Sequence, residues 1–161
     1  MNPYLIFKLI HIIAVIIFLG NIFTGLFWMK QANRTHDACI ISFTMHTIIR
    51  SDRWFTVPGV IIITAGGMAA ALQADTPILR TGWIFWPLVL FSLSGIIFSW
   101  KLIPLQKKIR RYTSLEETEH FNWTMYQSYF TRWEAWGLIA LLAPVAALVM
   151  MVLKIPVARG F

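Results

Sequence analysis

The chain has 161 residues, 58% of them hydrophobic and only 13% charged, with 14 Lys and Arg against 7 Asp and Glu for a net charge of +7. An average soluble domain carries about a quarter charged residues, so this composition cannot supply a water-facing surface and excludes an ordinary soluble protein. The length suits a single domain, residues 1–161.

Charge-free apolar blocks run over Leu9–Met29, Trp54–Ala74, Thr81–Trp100 and Ala135–Leu153. Roughly 20 helical residues, at about 1.5 Å each, cross a hydrocarbon core of about 30 Å. Each block therefore spans once. A barrel would alternate apolar and polar side chains over about ten residues, and solid apolar runs do not. The fold class is expected to be all-α, an integral membrane four-helix bundle with helices at about 4–29, 54–74, 81–103 and 134–153.

The first block follows Lys8 and ends at Trp28-Met29-Lys30. It is too long for a signal-peptide core and lacks small residues fit for cleavage, so it reads as a crossing. Within it His11 lies about 10 Å into the helix from Tyr4, a depth at which an imidazole needs a partner, a ligand or a wet cavity. Lys8, one turn outward, can reach the headgroups.

The next connection carries Ile40, Ile41, Met45, Ile48 and Ile49 between polar residues, the pattern of an amphipathic helix at about 37–52 that runs along the membrane boundary or continues into it. Asp52 and Arg53 follow, the acid suited to a helix amino end and the cation to the headgroups. Pro58 falls in the first turn of the second crossing, where its missing N–H costs least. Gly66-Gly67, flanked by alanines, offers a face for close helix packing.

The third connection contains Ser114-Leu-Glu-Glu, a capping box that predicts a helix from about Leu115. Pro144 should kink the fourth helix. Tyr4, Trp28, Trp54, Trp83, Trp86, Trp100, Trp133 and Trp136 stand near block ends and read mostly as interfacial anchors.

Lys30, Arg34, Arg50 and Arg53 lie in the first long connection, and Lys101, Lys107, Lys108, Arg110, Arg111 and Arg132 in the second. The positive-inside rule puts both connections in the cytoplasm and both termini on the periplasmic side. The positive charge then follows from topology, so no nucleic-acid partner is expected. Asn21, Thr24, Arg53, Ser99 and Glu134 are expected to form a polar cluster at the cytoplasmic mouth. A single cysteine, Cys39, excludes an internal disulfide, and the spacing of His36, Cys39 and His46 is not diagnostic of a metal site.

Two readings of His11 stand side by side. It donates to a backbone carbonyl or hydroxyl of a neighbouring helix, or it is an axial ligand of haem b held inside the bundle. On the second reading the residues at similar depth are Met68, Trp86, Met150 and Met151, and a methionine can supply the sixth ligand.

Lys8-Leu-Ile-His11, Gly20-Asn21, Arg53-Trp-Phe-Thr-Val-Pro58-Gly59, Gly82-Trp83, Ile103-Pro104-Leu105-Gln106 and Val152-Leu-Lys154 together resemble a family of small bacterial inner-membrane proteins defined as a domain of unknown function. More distantly, the Lys-x-x-His of the first helix, the Gly-Trp opening the third and the end of the fourth resemble HemJ-type protoporphyrinogen oxidases and CopD-like membrane domains. The HemJ resemblance implies a haem b linked to the first-helix His and to a third-helix Lys, and removal of hydrogen from protoporphyrinogen IX. His11 matches the former; Pro87 stands where the Lys should fall. The function implied is that of a haem-binding, redox-active inner-membrane protein with a quinone or another membrane protein as partner. The alternative is a non-catalytic accessory or assembly subunit, with a small-solute transporter as a third possibility.

Overall fold

The computed structural model of the chain describes residues 3–114 and 121–155. Its helices are α1 (Pro3–Arg34), α2 (Ala38–Ser51), α3 (Val57–Gln73), α4 (Gly82–Ile97), α5 (Ile103–Tyr112) and α6 (Trp123–Leu153). A π-helical turn, Asp52–Thr56, runs α2 into α3 without a break, and a second, Phe98–Leu102, runs α4 into α5. Four continuous rods of 31 to 36 residues result, all long and apolar enough to cross a membrane. Of the most apolar window in each rod only 11% to 28% is buried in protein. The remaining apolar surface needs a lipid solvent.

The rods outrun the apolar blocks from which the crossings were read. α1 continues to Arg34 and α6 begins at Trp123, where the Asn122 side chain accepts from the amides of Thr124 and Met125. The expected amphipathic segment is α2, capped by Asp37, and of its two expected courses it takes the one into the membrane, as the first part of the second rod. The helix start expected near Leu115 lies outside the described residues.

α1 packs on α3 and α4 on α6, while α2 and α5 meet each other and the ends of α1 and α6 where the two long connections lie. That end holds the larger core, built around Met29, Ile41, Met45, Ile109, Tyr126 and Phe130. A smaller cluster of Ala14, Phe18 and Ile63 sits deeper in the bundle. The buried residues of α6 are Tyr126, Phe130, Trp133, Gly137, Ala140, Pro144 and Ala147. Their alternating steps of four and three are the seven-residue repeat by which helices in a bundle keep one seam facing their neighbours. At Gly137 the approach is closest, since an added Cβ would lie 2.8 Å from Leu26 Cδ2.

Both π turns have the same cause. Val57 donates its amide to the carbonyl of Asp52, and Ile103 to that of Phe98, five residues back instead of four. The next residues are Pro58 and Pro104, whose rings would collide with the carbonyls of Trp54 and Trp100 in a regular α-helix. Widening the turn by one residue relieves the collision without breaking the rod. The two stretches, Asp52-Arg-Trp-Phe-Thr-Val-Pro58 and Phe98-Ser-Trp-Lys-Leu-Ile-Pro104, share their Trp, β-branched residue and Pro at equal spacing.

Pro144 is accommodated differently. It cannot donate to the carbonyl of Ala140, and that carbonyl instead accepts the buried hydroxyl of Ser94 on α4 at 2.7 Å. A backbone group that lipid cannot satisfy is thus satisfied by the neighbouring helix. Ser94→Ala should cost about 1 kcal/mol, read as a shift in detergent-induced unfolding. Pro144→Ala, which restores an amide donor for Ala140, should suppress that cost. A Ser94→Ala variant as stable as the parent would refute the account.

Candidate functional site

The buried positions in the first part of the second rod are Ile41, Met45, Ile48, Asp52 and Thr56, again at steps of four and three. On the third rod Leu102, Gln106, Ile109 and Thr113 repeat the pattern. Each seam thus brings a polar side chain into the bundle interior, and the two meet. Gln106 Nε2 donates to Asp52 Oδ2 at 2.8 Å.

The other carboxylate oxygen is held from the first and second rods. Thr56 Oγ1 donates to Asp52 Oδ1 at 2.8 Å, and Asn21 Nδ2 donates to the same atom at 3.2 Å and to Thr56 Oγ1 at 2.9 Å. Ser51 Oγ donates to Asn21 Oδ1 in a short contact. Ser51, Asp52 and Thr56 thus all bond to the single side chain of Asn21. Asp52 is 9% exposed, and no basic side chain pairs with it among the described residues. Neutral donors therefore do all the work of solvating a carboxylate here.

A cavity of about 190 Å³ is lined by Asn21, Asp52, Thr56 and Gln106 of this network together with Phe18, Phe91 and Leu88. The fourth rod contributes Trp133, Gly137 and Ala140. The cavity wall is otherwise mostly apolar, and among the described residues no Lys, Arg or His lines it. The Trp133 Nε1 is buried without a hydrogen-bond partner. A shallower hollow of about 330 Å³ shares Asn21, Gly25 and Ile48 with the cavity and adds the hydroxyls of Thr24, Thr44, Thr47 and Ser51.

Of the expected mouth cluster only Asn21 belongs to this network. Thr24 donates to the carbonyls of Gly20 and Asn21 in its own helix, Arg53 and Ser99 are exposed, and Glu134 pairs with Lys30 at 3.3 Å. Asp52, read from sequence as a helix-end charge, is the centre. The difference arises because α2 does not stop at Ser51: once the helix continues, the seam of Ile41, Met45 and Ile48 carries Asp52 inward. Trp133 is likewise a correction, being 3% exposed in the core instead of an interfacial anchor. Trp28, Trp54 and Trp100 are exposed, as anchors should be.

His11 is half-buried, and its Nδ1 lies 2.8 Å from the carbonyl oxygen of Ile63 on α3. Since a carbonyl only accepts, Nδ1 carries the proton, and in the neutral ring Nε2 is then the nitrogen with a lone pair. The ring rests on the Gly66-Gly67 face, where a Cβ at Gly67 would lie 3.1 Å from Nδ1. The packing expected of those glycines is present, with the imidazole as the group packed. Met68 is half exposed beside them, while Trp86 on α4 and Met150 and Met151 on α6 are half-buried on the other helix pair. Among the described residues no three His, Cys, Asp or Glu side chains gather as a metal site.

Asp52→Ala would strip the acceptor from the buried Gln106 amide, the half-buried Asn21 amide and the Thr56 hydroxyl, with an expected cost of about 2 kcal/mol. Asp52→Asn should cost less, because the asparagine oxygen still accepts from Asn21 and Thr56 and a turned Gln106 amide can accept from its nitrogen. Thermal denaturation in detergent compares the two; equal, negligible losses would show that the network does not hold the helices.

No curated protein and no solved structure matches the chain, and the resemblance to HemJ-type and CopD-like proteins finds no support. Residues 5–155 match one family, so the chain belongs to the family described as "Predicted integral membrane protein (DUF2269)".

Proposed function

We propose that this membrane protein is an intramembrane receptor for a small lipid-soluble molecule, which enters the cavity between the helices and sets its polar head against Asp52. The observation that carries the reading is an apolar cavity whose lining includes a buried carboxylate solvated only by neutral donors. An ionisable group kept inside a membrane bundle, facing a cavity, is the usual mark of a substrate or ion site. A volume of about 190 Å³ suits one ring with its substituents, given that benzene occupies an apolar cavity of about 150 Å³. A quinone head is of that size. Its carbonyls are acceptors, however, and Asp52 offers them no donor; a head group that donates is the better complement.

A porphyrin is too large for this cavity, and His11 does not line it. Haem b therefore remains a second reading, confined to His11, and it rests on the ring orientation that leaves Nε2 with a free lone pair. When bound, haem would supply one-electron chemistry; His11 would hold it and Ile63 would orient the imidazole.

One purified sample tests both readings. Mild detergent should retain a one-ring, lipid-soluble molecule that organic extraction and mass spectrometry detect, and Leu88→Trp, which fills the cavity, should lose it. Bulk lipid alone in both extracts overturns the receptor reading. A Soret band abolished by His11→Ala supports haem, and a colourless protein from haem-replete cells removes it.

The bacterial inner membrane is the proposed location, with both termini periplasmic, on the distribution of Lys and Arg. Cys39 is exposed in the first long connection and is the sole cysteine. An impermeant maleimide should label it in inverted vesicles and not in intact spheroplasts. The opposite pattern reverses the topology.

A further inference from the structure

The charge of the cavity narrows the class of its ligand. Building on the receptor reading above, we infer that the occupant is a monovalent organic cation with an apolar or aromatic body. Among the described residues that line the cavity Asp52 is the sole charged one, so their formal charge is negative by one when the carboxylate is ionised. Its hydrogen-bond partners are an amide from each of Asn21 and Gln106 and the hydroxyl of Thr56, every one a donor and every one neutral.

Such a donor set can serve an ionised acceptor. It leaves the net charge uncancelled. Two of the bonds go to Oδ1 and one to Oδ2, and a carboxylate has about four acceptor positions. One position on Oδ2 is therefore free for a further donor or a cation.

The rest of the wall fits the same occupant. Phe18, Phe91, Phe98 and Trp133 line the cavity. Aromatic rings attract a cation through their negative faces, and the attraction grows when water is excluded. Low dielectric also strengthens the pull of a single carboxylate on a single positive charge, whereas a neutral ligand gains none of it. A small inorganic cation would meet one carboxylate and a few hydroxyls, too few oxygens to replace its hydration shell. A cation that carries its own apolar body has no such shell to replace and fills the aromatic part of the cavity as well. Arg53, next to Asp52 in sequence, is exposed, and among the described residues no basic side chain forms an ion pair with Asp52.

The test compares phenyltrimethylammonium with tert-butylbenzene, its neutral isostere, by thermal denaturation of the full chain in detergent with an empty-micelle control. The cation should stabilise the protein saturably, at a concentration at least tenfold below that needed for the isostere. Asp52→Asn should remove that preference and leave the weak effect of the isostere. Equal potency of the two probes on the natural protein overturns the cation inference while the receptor reading stands. No stabilisation by either probe overturns both. If Asp52→Asn keeps the preference, the carboxylate is not its source and the inference fails. The isostere pair is read on the natural protein, so a variant that does not fold leaves the comparison intact.

Discussion

The Asp52 carboxylate ties together side chains from three of the four rods: Asn21 from the first, Thr56 from its own, and Gln106 from the third. In lipid this matters more than in water, because the apolar tails solvate a leucine as well as a neighbouring helix does. Helices are then held by close packing and by polar bonds that lipid cannot supply. Asp52 and Thr56 stand four residues apart and so share one face of their helix, where Asn21 reaches both.

Prolines alter the backbone bonding along the rods. Pro58 and Pro104 each follow a π turn, and Pro144 frees the Ala140 carbonyl that Ser94 takes. In a soluble protein water would satisfy such a carbonyl. Within lipid the neighbouring helix has to do so, and the bond then sets how α4 sits against α6. Glycines serve the complementary purpose, Gly137 admitting Leu26 and Gly67 admitting the His11 ring.

The two cores differ in chemistry, and the cavity lies where they meet. Phe18 belongs to the deeper cluster and Trp133 and Leu102 to the larger one, and all three line the cavity. The larger core is packed with Met, Ile and aromatic side chains, as in a soluble bundle, while the α1 to α3 contact relies on glycine and alanine. Asp52 and Gln106 also line the cavity.

Sequence alone was sufficient for the class of the fold. Four apolar stretches of crossing length, too few charges for a water-facing surface and the flanking aromatics depend on the solvent each residue prefers, and that preference is local. The buried seam of α2 was also written there, and extending its steps of four and three past Ser51 reaches Asp52. What hid Asp52 was the assumption that the helix ended at the polar residues before the apolar block. The Gly66-Gly67 face was legible as a packing surface, but nothing local said that His11 would occupy it. Only tertiary structure decided that Gln106, 54 positions away, meets Asp52, that the Ala140 carbonyl finds Ser94, and that Trp133 turns inward. Those outcomes depend on which faces of separate rods come together. Hydropathy reports how each rod meets lipid, and it carries no information on how one rod is rotated against the next.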